Sequence, residues 1–173
     1  GKNDFVKYNQ DYRNCVRIND SIFNLRHGLM YEQKIPFSGC LAEYFENGLM
    51  QESVFFLNGQ RHGWSMRWHR NGILEFEKFF LFGLKQKFHK KWYDNGSIKF
   101  IHRFKDDLFE GEQLDYFKNG NIASKRNYLN GFEEGQQMAW NFNGKLLQNY
   151  HVKNKKRYGI IGRKDCISVF EKY

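Results

Sequence analysis

The chain has 173 residues, a formal net charge of +9, three cysteines and an aromatic content of 18%. So many aromatic residues supply enough surface to bury, which excludes a disordered chain, and three cysteines are too few for a disulfide-stapled mini-protein. No uncharged apolar run approaches the roughly 20 residues of a membrane-spanning helix, and the length alone suggests one compact domain.

The N-terminal part of the chain does not share the pattern of the rest. Residues 1–27 are predicted to form an N-terminal cap, in which Cys15–Ile18 and Ser21–Leu25 make a capping hairpin around Asn19–Asp20. No basic stretch followed by an apolar one marks a targeting segment, which favours a cytoplasmic location and leaves a removed signal peptide open.

The three cysteines, Cys15, Cys40 and Cys166, lie far apart in the sequence. They lack the short spacing of metal ligands. We therefore expect unremarkable thiols and no metal site.

A strict internal repeat begins near residue 28 and decides the fold. Asn-Gly recurs every 24 residues, at Asn47-Gly48, Asn71-Gly72, Asn95-Gly96, Asn119-Gly120 and Asn143-Gly144. Two further columns keep the same period: Gly39, Gly63, Lys87, Gly111, Gly135, Gly159, and Gly59, Gly83, Asp107, Gly131, Lys155. A fixed period of this size is typical of repeat architectures.

Each unit predicts two strands. Asn-Gly favours a type I′ turn, because both central residues then need positive φ, and a second, glycine-bearing turn such as Asn58-Gly59 reverses the chain again. A helix is excluded because turn residues recur about every dozen residues. The sequence thus predicts an all-β, elongated, single-layer antiparallel meander of stacked β-hairpins.

Apolar columns lie between the turns. They comprise Tyr44, Trp68, Trp92, Tyr116, Trp140, then Met50, Leu74, Ile98, Ile122, Leu146, then Phe56, Phe80, Phe104, Tyr128, Val152. Alternation with period two puts Trp64, Met66 and Trp68 on one face of the sheet and Ser65, Arg67 and His69 on the other. Since a single layer has little interior, large rings are expected to cover one face, which explains the aromatic excess.

The C-terminal part is predicted to close the array. Residues 28–158 form the repeats, and 159–173 form a half repeat and cap, so that 1–173 is a single repeat domain. The segment Ile160–Phe170 is expected to make the last strand and to cover the sheet edge, because an open edge invites aggregation.

The residues from Trp68 to Leu74 with Phe80 and Gly83, and from Tyr116 to Ile122 with Tyr128 and Gly131, carry a recognisable pattern. It resembles the MORN-repeat family, and most closely its bacterial variant branch. The resemblance covers about residues 28–165. The chain departs from the family pattern where Lys87, Asp107 and Lys155 replace turn glycines.

The resemblance implies an elongated sheet of hairpins with no catalytic residues in the repeat. Members of the family serve as scaffolds, self-associate or have been proposed to bind acidic lipids. The bacterial branch is often labelled as the antitoxin of toxin–antitoxin pairs. The resemblance therefore implies a non-enzymatic protein-interaction module, either a scaffold or an antitoxin- or immunity-like partner of a toxin.

Nothing in the sequence predicts an enzyme. The six histidines do not share ligand spacing, and no nucleotide-binding loop or nucleophile elbow occurs. We expect no catalytic residue, no metal and no small-molecule cofactor. A buried acid–base pair with perturbed pKa values would be needed to restore an enzymatic reading.

Charge is uneven along the chain, with basic residues dominating from 61 to 105 and from 145 to 164, and acidic residues dominating from 106 to 134. A basic patch is predicted at Arg61, Arg70, Lys85, Lys87, Lys90 and Arg103. Such a patch beside aromatic rings could bind nucleic acid or an acidic lipid surface, which is the alternative function. The acidic stretch argues against one continuous track for a polyanion.

The aromatic ladder has two interpretations, packing alone or the lining of a groove for a partner. On the second, the predicted partner-binding residues are Tyr44, Arg67, Trp68, His69, Lys91, Trp92, Tyr93, Tyr116 and Trp140. A protein partner is favoured, and an exposed ladder or open edge would equally support a homodimer.

Overall fold

The structure is a computed structural model that describes residues 14–18 and 22–160. In these ranges the chain forms strands and turns and no α-helix. The strands are β1 Val16–Arg17, β2 Phe23–Arg26, β3 Leu29–Glu32, β4 Ile35–Pro36, β5 Gly39–Tyr44, β6 Met50–Leu57, β7 Gln60–Trp68, β8 Leu74–Leu81, β9 Leu84–Trp92, β10 Ile98–Lys105, β11 Leu108–Phe109, β12 Gly111–Tyr116, β13 Ile122–Leu129, β14 Phe132–Trp140, β15 Leu146–Lys153 and β16 Lys156–Ile160.

Most strands form one long sheet in chain order. From β5 to β16 each strand pairs antiparallel with the next, except that β11 is a short side strand on β10 and β12 follows β10 directly. The predicted all-β meander of stacked hairpins is confirmed. Within the described residues no helix is long and apolar enough to cross a membrane.

The Asn-Gly turns are not of the predicted type. Gly48 donates its N–H to the Phe45 carbonyl at 2.9 Å, and Gly48 has φ 82° while Asn47 is not among the residues with positive φ. This is a type I turn followed by a left-handed glycine, which closes a three-residue loop. The Asn47 side chain accepts the Leu49 N–H at 3.1 Å, a local bond that favours this geometry.

The type I′ turn occurs at the opposite end of each hairpin. Asn58 and Gly59 have φ 49° and 78°, and the same pair of positive angles recurs in every later unit. The residues that replace glycine adopt the left-handed conformation as well, since Lys87, Asp107 and Lys155 have φ 60°, 66° and 63°. The hairpin geometry is therefore kept where the sequence departs from the repeat.

The long sheet carries aromatic rings on both faces. Cross-strand pairs and strand alternation place Phe56, Phe80, Phe104 and Tyr128 on one side, which we call the Phe face, and Trp64, Trp68, Trp92 and Trp140 on the other, the Trp face. The expectation that rings cover one face is wrong. Because neighbouring residues of a strand point to opposite sides, pairs such as Phe79 and Phe80 supply both.

A small second sheet, β2-β3-β4, packs on the Phe face at the N-terminal end. The Phe37 ring lies 5.2 Å from that of Phe23 and 6.2 Å from that of Phe56. With Leu41 and Val54 these rings form the buried core. The molecule is thus two-layered at this end, where the sequence predicted a single layer.

Among the described residues β1 and β2 do not pair with each other as the predicted capping hairpin requires, and the turn of that hairpin, residues 19–21, lies outside them. β1 runs parallel to β5 in the long sheet, whereas β2 pairs with β3 in the small sheet. A disulfide joins Cys15 to Cys40, with their Cα atoms 4.6 Å apart, so these two are not the free thiols that we expected. This bond ties the first strand of the long sheet to its neighbour.

At the C-terminal end β16 pairs with β15. The rest of the predicted closing strand, and Cys166, lie outside the described residues. The covering of this edge stays a prediction, as do the boundaries of the single repeat domain.

Candidate functional site

The most buried column of the long sheet is polar. Ser65, His89, Gln113 and Gln137 occupy equivalent positions on the Phe face and are 2%, 3%, 3% and 1% exposed. Gln137 accepts the Asn127 N–H at 3.3 Å and donates to the Asn127 carbonyl at 2.7 Å, and Gln113 makes the same pair of bonds with Arg103. These amides satisfy backbone groups where the strand pairing is interrupted.

His89 fills the equivalent position in its unit. Its Nε2 lies 3.0 Å from the Phe79 carbonyl, so this nitrogen donates, and the ring lies between those of Phe80 and Phe104. Burial lowers the pKa of His89 to about 4, a shift that Lys78 and Lys85 reinforce by charge repulsion. His89 is therefore neutral at pH 7 and serves the sheet interior.

A second histidine, His102, lies on the same face. Its Nε2 is 3.0 Å from Asp115, which also accepts the Ser124 hydroxyl at 2.6 Å. Because Asp115 lies between the other two groups, the serine is not hydrogen-bonded to the histidine. The trio has the bonding of a structural network and lacks the nucleophile–base contact of a catalytic triad.

The five predicted ladder residues lie in one row. Tyr44, Trp68, Trp92, Tyr116 and Trp140 are the last residues of β5, β7, β9, β12 and β14, are half-buried on the Trp face, and lie opposite the predicted aliphatic column. The structure thus brings these residues together along the turn edge of the sheet.

The other predicted partner-binding residues do not share that face. Arg67 and Lys91 lie on the Phe face, where Arg67 bonds Glu52 at 2.5 Å and Lys91 bonds Glu75 at 3.0 Å. Burial opposes ionisation of Glu75, but the hydrogen bond and charge of Lys91 outweigh it and lower its pKa. Both cations are therefore already neutralised within the chain.

His69 and Tyr93 occupy equivalent turn positions. The His69 ring bonds the Trp92 carbonyl at 3.1 Å, and the Tyr93 hydroxyl donates to the Tyr116 carbonyl at 2.9 Å. Each side chain thus links one unit to the backbone of the next, which gives it a role in stacking.

The six predicted basic-patch residues are divided between surfaces. Five of them place their charge over a phenylalanine ring: Arg61 over Phe80, Arg70 over Phe45, Lys85 over Phe104, Lys87 over Phe79 and Arg103 over Phe88. The sixth, Lys90, pairs with Glu77 on the Trp face at 2.8 Å. The linear basic zone does not form one surface.

A smaller cluster on the Phe face is formed by Arg61, Lys78 and Lys85, which we call the cation cluster. Lys85 lies opposite Phe80, and Lys78 is on the same strand as Phe80, with its Nζ 3.9 Å from the Phe76 ring centre. Burial, and then repulsion by Arg61, lower the pKa of Lys78. Among the described residues no carboxylate forms an ion pair with any of the three.

Lys78 and the buried glutamines are not among the residues predicted from the sequence. Lys78 belongs to the same column as His102 and Arg126, but a linear charge count does not say which face a residue occupies. The described residues contain no group of three or more His, Cys, Asp or Glu side chains that could hold a metal.

One unit of the repeat is similar to a known family. The model described as the MORN repeat variant matches residues 109–130, which span β11 to the turn after β13. This match supports membership of the MORN-repeat family and is consistent with the hairpin sheet. No curated protein matches the chain.

Proposed function

We propose that the protein is a non-enzymatic module that binds another protein through its long sheet. MORN repeats are interaction modules, and the matched segment is one unit of an array that continues on both sides of it. The observation that carries the proposal is the surface of that sheet, on which half-buried rings lie in rows with cations over them. Aromatic residues and arginine are the side chains that protein interfaces favour.

An antitoxin- or immunity-like partner of a toxin, or a scaffold, is the form of this function that the variant-repeat resemblance suggests. Co-expression of the chain with the products of neighbouring genes tests the first form. Rescue of growth from a toxic neighbour, with a stable complex on size exclusion, would support it, whereas a stable complex with a non-toxic neighbour would favour a scaffold.

The general proposal is tested with the purified chain as bait in lysate of the source cell, at low and at moderate salt. A protein retained in stoichiometric amount at both salt concentrations supports it. Binding of nucleic acid or anionic lipid alone, lost steeply as salt rises, would contradict it, because contacts with a polyanion weaken about a thousandfold or more over that range.

A matched variant separates surface recognition from folding. Exchanging the partners of one ion pair, Glu75→Lys with Lys91→Glu, keeps the pair and its bond but reverses the charge pattern on the Phe face. We expect an unchanged circular dichroism spectrum and weaker capture of the partner. Unchanged capture would place the partner on another surface.

A further inference from the structure

The cation cluster gathers positive charge on three neighbouring strands. Arg61 is on β7, Lys78 on β8 and Lys85 on β9, and all three are on the Phe face around Phe80. Adjacent strands are about 4.8 Å apart, so the strands that carry the cluster span about 10 Å. This distance suits two or three discrete anionic groups.

The cluster differs from three other cations of the Phe face, although Arg126 on that face likewise forms no ion pair among the described residues. Arg67 pairs with Glu52, Lys91 with Glu75 and Arg157 with Glu133, so each of these charges is neutralised. The cluster has ring contacts and no ion pair among the described residues. Half-burial of Lys78 and repulsion by Arg61, Lys91 and Arg67 cost folding energy, which Glu52 offsets in part and an anionic ligand would offset further.

Acidic residues limit the cluster on both sides. Glu43 and Glu52 are on the Phe face at β5 and β6, and Asp115 lies opposite Phe100 on the other side. Glu43, which forms no ion pair among the described residues, would repel a nucleic acid backbone or an anionic membrane, whose charges continue beyond about 10 Å, whereas Glu52 and Asp115 already have Arg67 and His102 as partners. The charge pattern is complementary to a short acidic segment.

A groove adjoins the cluster where the small sheet rises from the Phe face. Its apolar wall is formed by Ile18, Met30, Leu41, Val54 and Phe56, and its charged lining by Glu43, Glu52 and Arg61. The two glutamates would repel the carboxylates of a ligand from the groove and leave the apolar wall for an apolar side chain. The Arg61 guanidinium also lies 5.5 Å from the Phe80 ring centre, so this residue belongs to both the groove and the cluster. A ligand with apolar and acidic groups would contact both.

We propose that the cation cluster and the adjoining groove bind an acidic, amphipathic segment of a partner protein, whose carboxylates contact Arg61, Lys78 and Lys85. An apolar side chain of the segment occupies the groove beside Arg61. This assignment rests on the proposed protein-binding function and specifies the chemistry of the partner.

The probe for the test is a fluorescein-labelled peptide of about ten residues in which every second residue, on the side facing the sheet, is leucine in the first part and glutamate in the second, with serine between them. In extended form its leucines reach the groove while its glutamates reach the cluster. Its binding to the full chain is measured by fluorescence anisotropy. We expect Arg61→Gln with Lys85→Gln to weaken binding about tenfold or more, as for the loss of two charge-assisted contacts.

A charge-matched control removes two cations from the Trp face, Lys90→Gln with Lys125→Gln, whose partners are Glu77 and Glu112. This control should change the affinity less than about twofold, since exposed ion pairs contribute little. Equal weakening by both double variants, or by neither, would overturn the site. So would cluster-dependent binding of oligothymidylate or phosphatidylserine vesicles that is tighter than binding of the peptide.

Lys78→Met tests the half-buried member by itself. Because Lys78 is destabilised by its surroundings, the melting temperature should stay the same or rise while peptide affinity falls. A lower melting temperature with unchanged affinity would show that Lys78 is structural.

A natural partner separates failure of the site from failure of the function. If that partner binds the wild type and the cluster variant equally, the proposed site is wrong and the protein-binding function stands. If neither protein captures a partner, the protein-binding function is wrong.

Discussion

Gln113 and Gln137 each supply hydrogen bonds at a position where the backbone pairing between two strands is interrupted. Each amide has both a donor and an acceptor, and each bonds the N–H and the carbonyl of one residue in the neighbouring strand. A hydrophobic residue of similar size would leave both backbone groups buried and unpaired. The polar column is therefore part of the fold.

Replacing Gln137 tests this role. Gln137→Leu should lower the free energy of unfolding by about 2–3 kcal/mol, because the Asn127 N–H and carbonyl lose their partner in a dry site. Chemical denaturation followed by circular dichroism measures the loss. Gln148→Leu is the control, since Gln148 is half-buried and its amide makes no hydrogen bond in the described part of the chain. Equal costs for the two variants would contradict the role.

His89 makes stability depend on pH. Its pKa is about 4 in the folded state and 6.5 in the reference state, so the unfolded chain takes up the proton first as pH falls. The stabilisation is complete above pH 6.5 and is lost towards pH 4, by about 2–3 kcal/mol. The neighbouring charges of Lys78, Lys85 and His102 act in the same direction.

Denaturation at several pH values within that interval, for the wild type and for His89→Gln, measures this dependence. The variant should lose most of the slope, because glutamine has no proton to bind and fills the same position in the later units. An unchanged slope would assign the pH dependence to other groups. Asp115, in which burial opposes ionisation but His102 and Ser124 outweigh it and lower the pKa, contributes at the acidic end, where pH approaches and passes its ordinary value of 3.8.

At the scale of the hairpin, the two turns of each unit perform different tasks. The Asn-Gly turn is held by its own side chain and bonds the next unit through side chains, as where the Asn71 amide donates to the Asp94 carbonyl at 2.8 Å. The type I′ turn bonds the preceding unit through its backbone: Gly83 N–H to the Arg61 carbonyl, and Gly131 N–H to the Phe109 carbonyl. The type I′ edge is thus a continuous backbone ladder between units. Its left-handed residues carry a conformational cost wherever they are not glycine.

A pair of substitutions measures that cost. Lys155→Gly should raise the free energy of unfolding by about 0.5–1 kcal/mol, because Lys155 has φ 63° and only an exposed ring contact to lose. Gly83→Ala should lower it by about 1 kcal/mol, since no atom lies within 4 Å of the added Cβ and the cost is conformational alone. Destabilisation by Lys155→Gly would refute this account.

The sequence indicated where each hairpin reverses but not the type of its turns. Asn-Gly is compatible with a two-residue type I′ loop or a three-residue loop, and the choice depends on whether Phe45 pairs with Leu49. Strand alternation was predictable from the columns. The cation cluster was predictable only in part, because the basic patch predicted from a linear count contains Arg61 and Lys85 but misses Lys78 and includes Lys90, which lies on the opposite face.

At the scale of the whole molecule, the repeat period predicted the sheet from β5 onward but did not predict the N-terminal layer. Residues before the repeat carry no period, and the parallel pairing of β1 with β5 joins segments without a local turn signal. The position of the N-terminal layer depends on the packing of Phe23 and Phe37 against Phe56, and Phe56 is presented for this contact only once the long sheet has formed.

Removal of one whole unit tests the independence of the units. Deleting residues 111–134 joins Glu110 to Gly135, which are in the same phase as Glu110 and Gly111. We expect a folded, shorter sheet that unfolds cooperatively at a somewhat lower temperature, because each unit contacts only its neighbours. It should still bind the acidic peptide, since β7 to β9 are retained.

Deleting half as much, residues 111–122, is the matched control. It removes one strand and its turn, so that the following strand would meet β10 in the wrong direction and with its faces exchanged. This variant should aggregate or lose its circular dichroism signal. Comparable melting of the two deletions would contradict the requirement for whole units.

The bond between Cys15 and Cys40 links the structure to its chemical surroundings. A glutathione-buffered cytosol keeps such pairs reduced, whereas secreted and periplasmic proteins retain them. The bond therefore weighs against the cytoplasmic location that the sequence favours. In a reducing compartment β1, only two residues long, would rest on β5 without a covalent tie, and the first edge of the long sheet would open more readily.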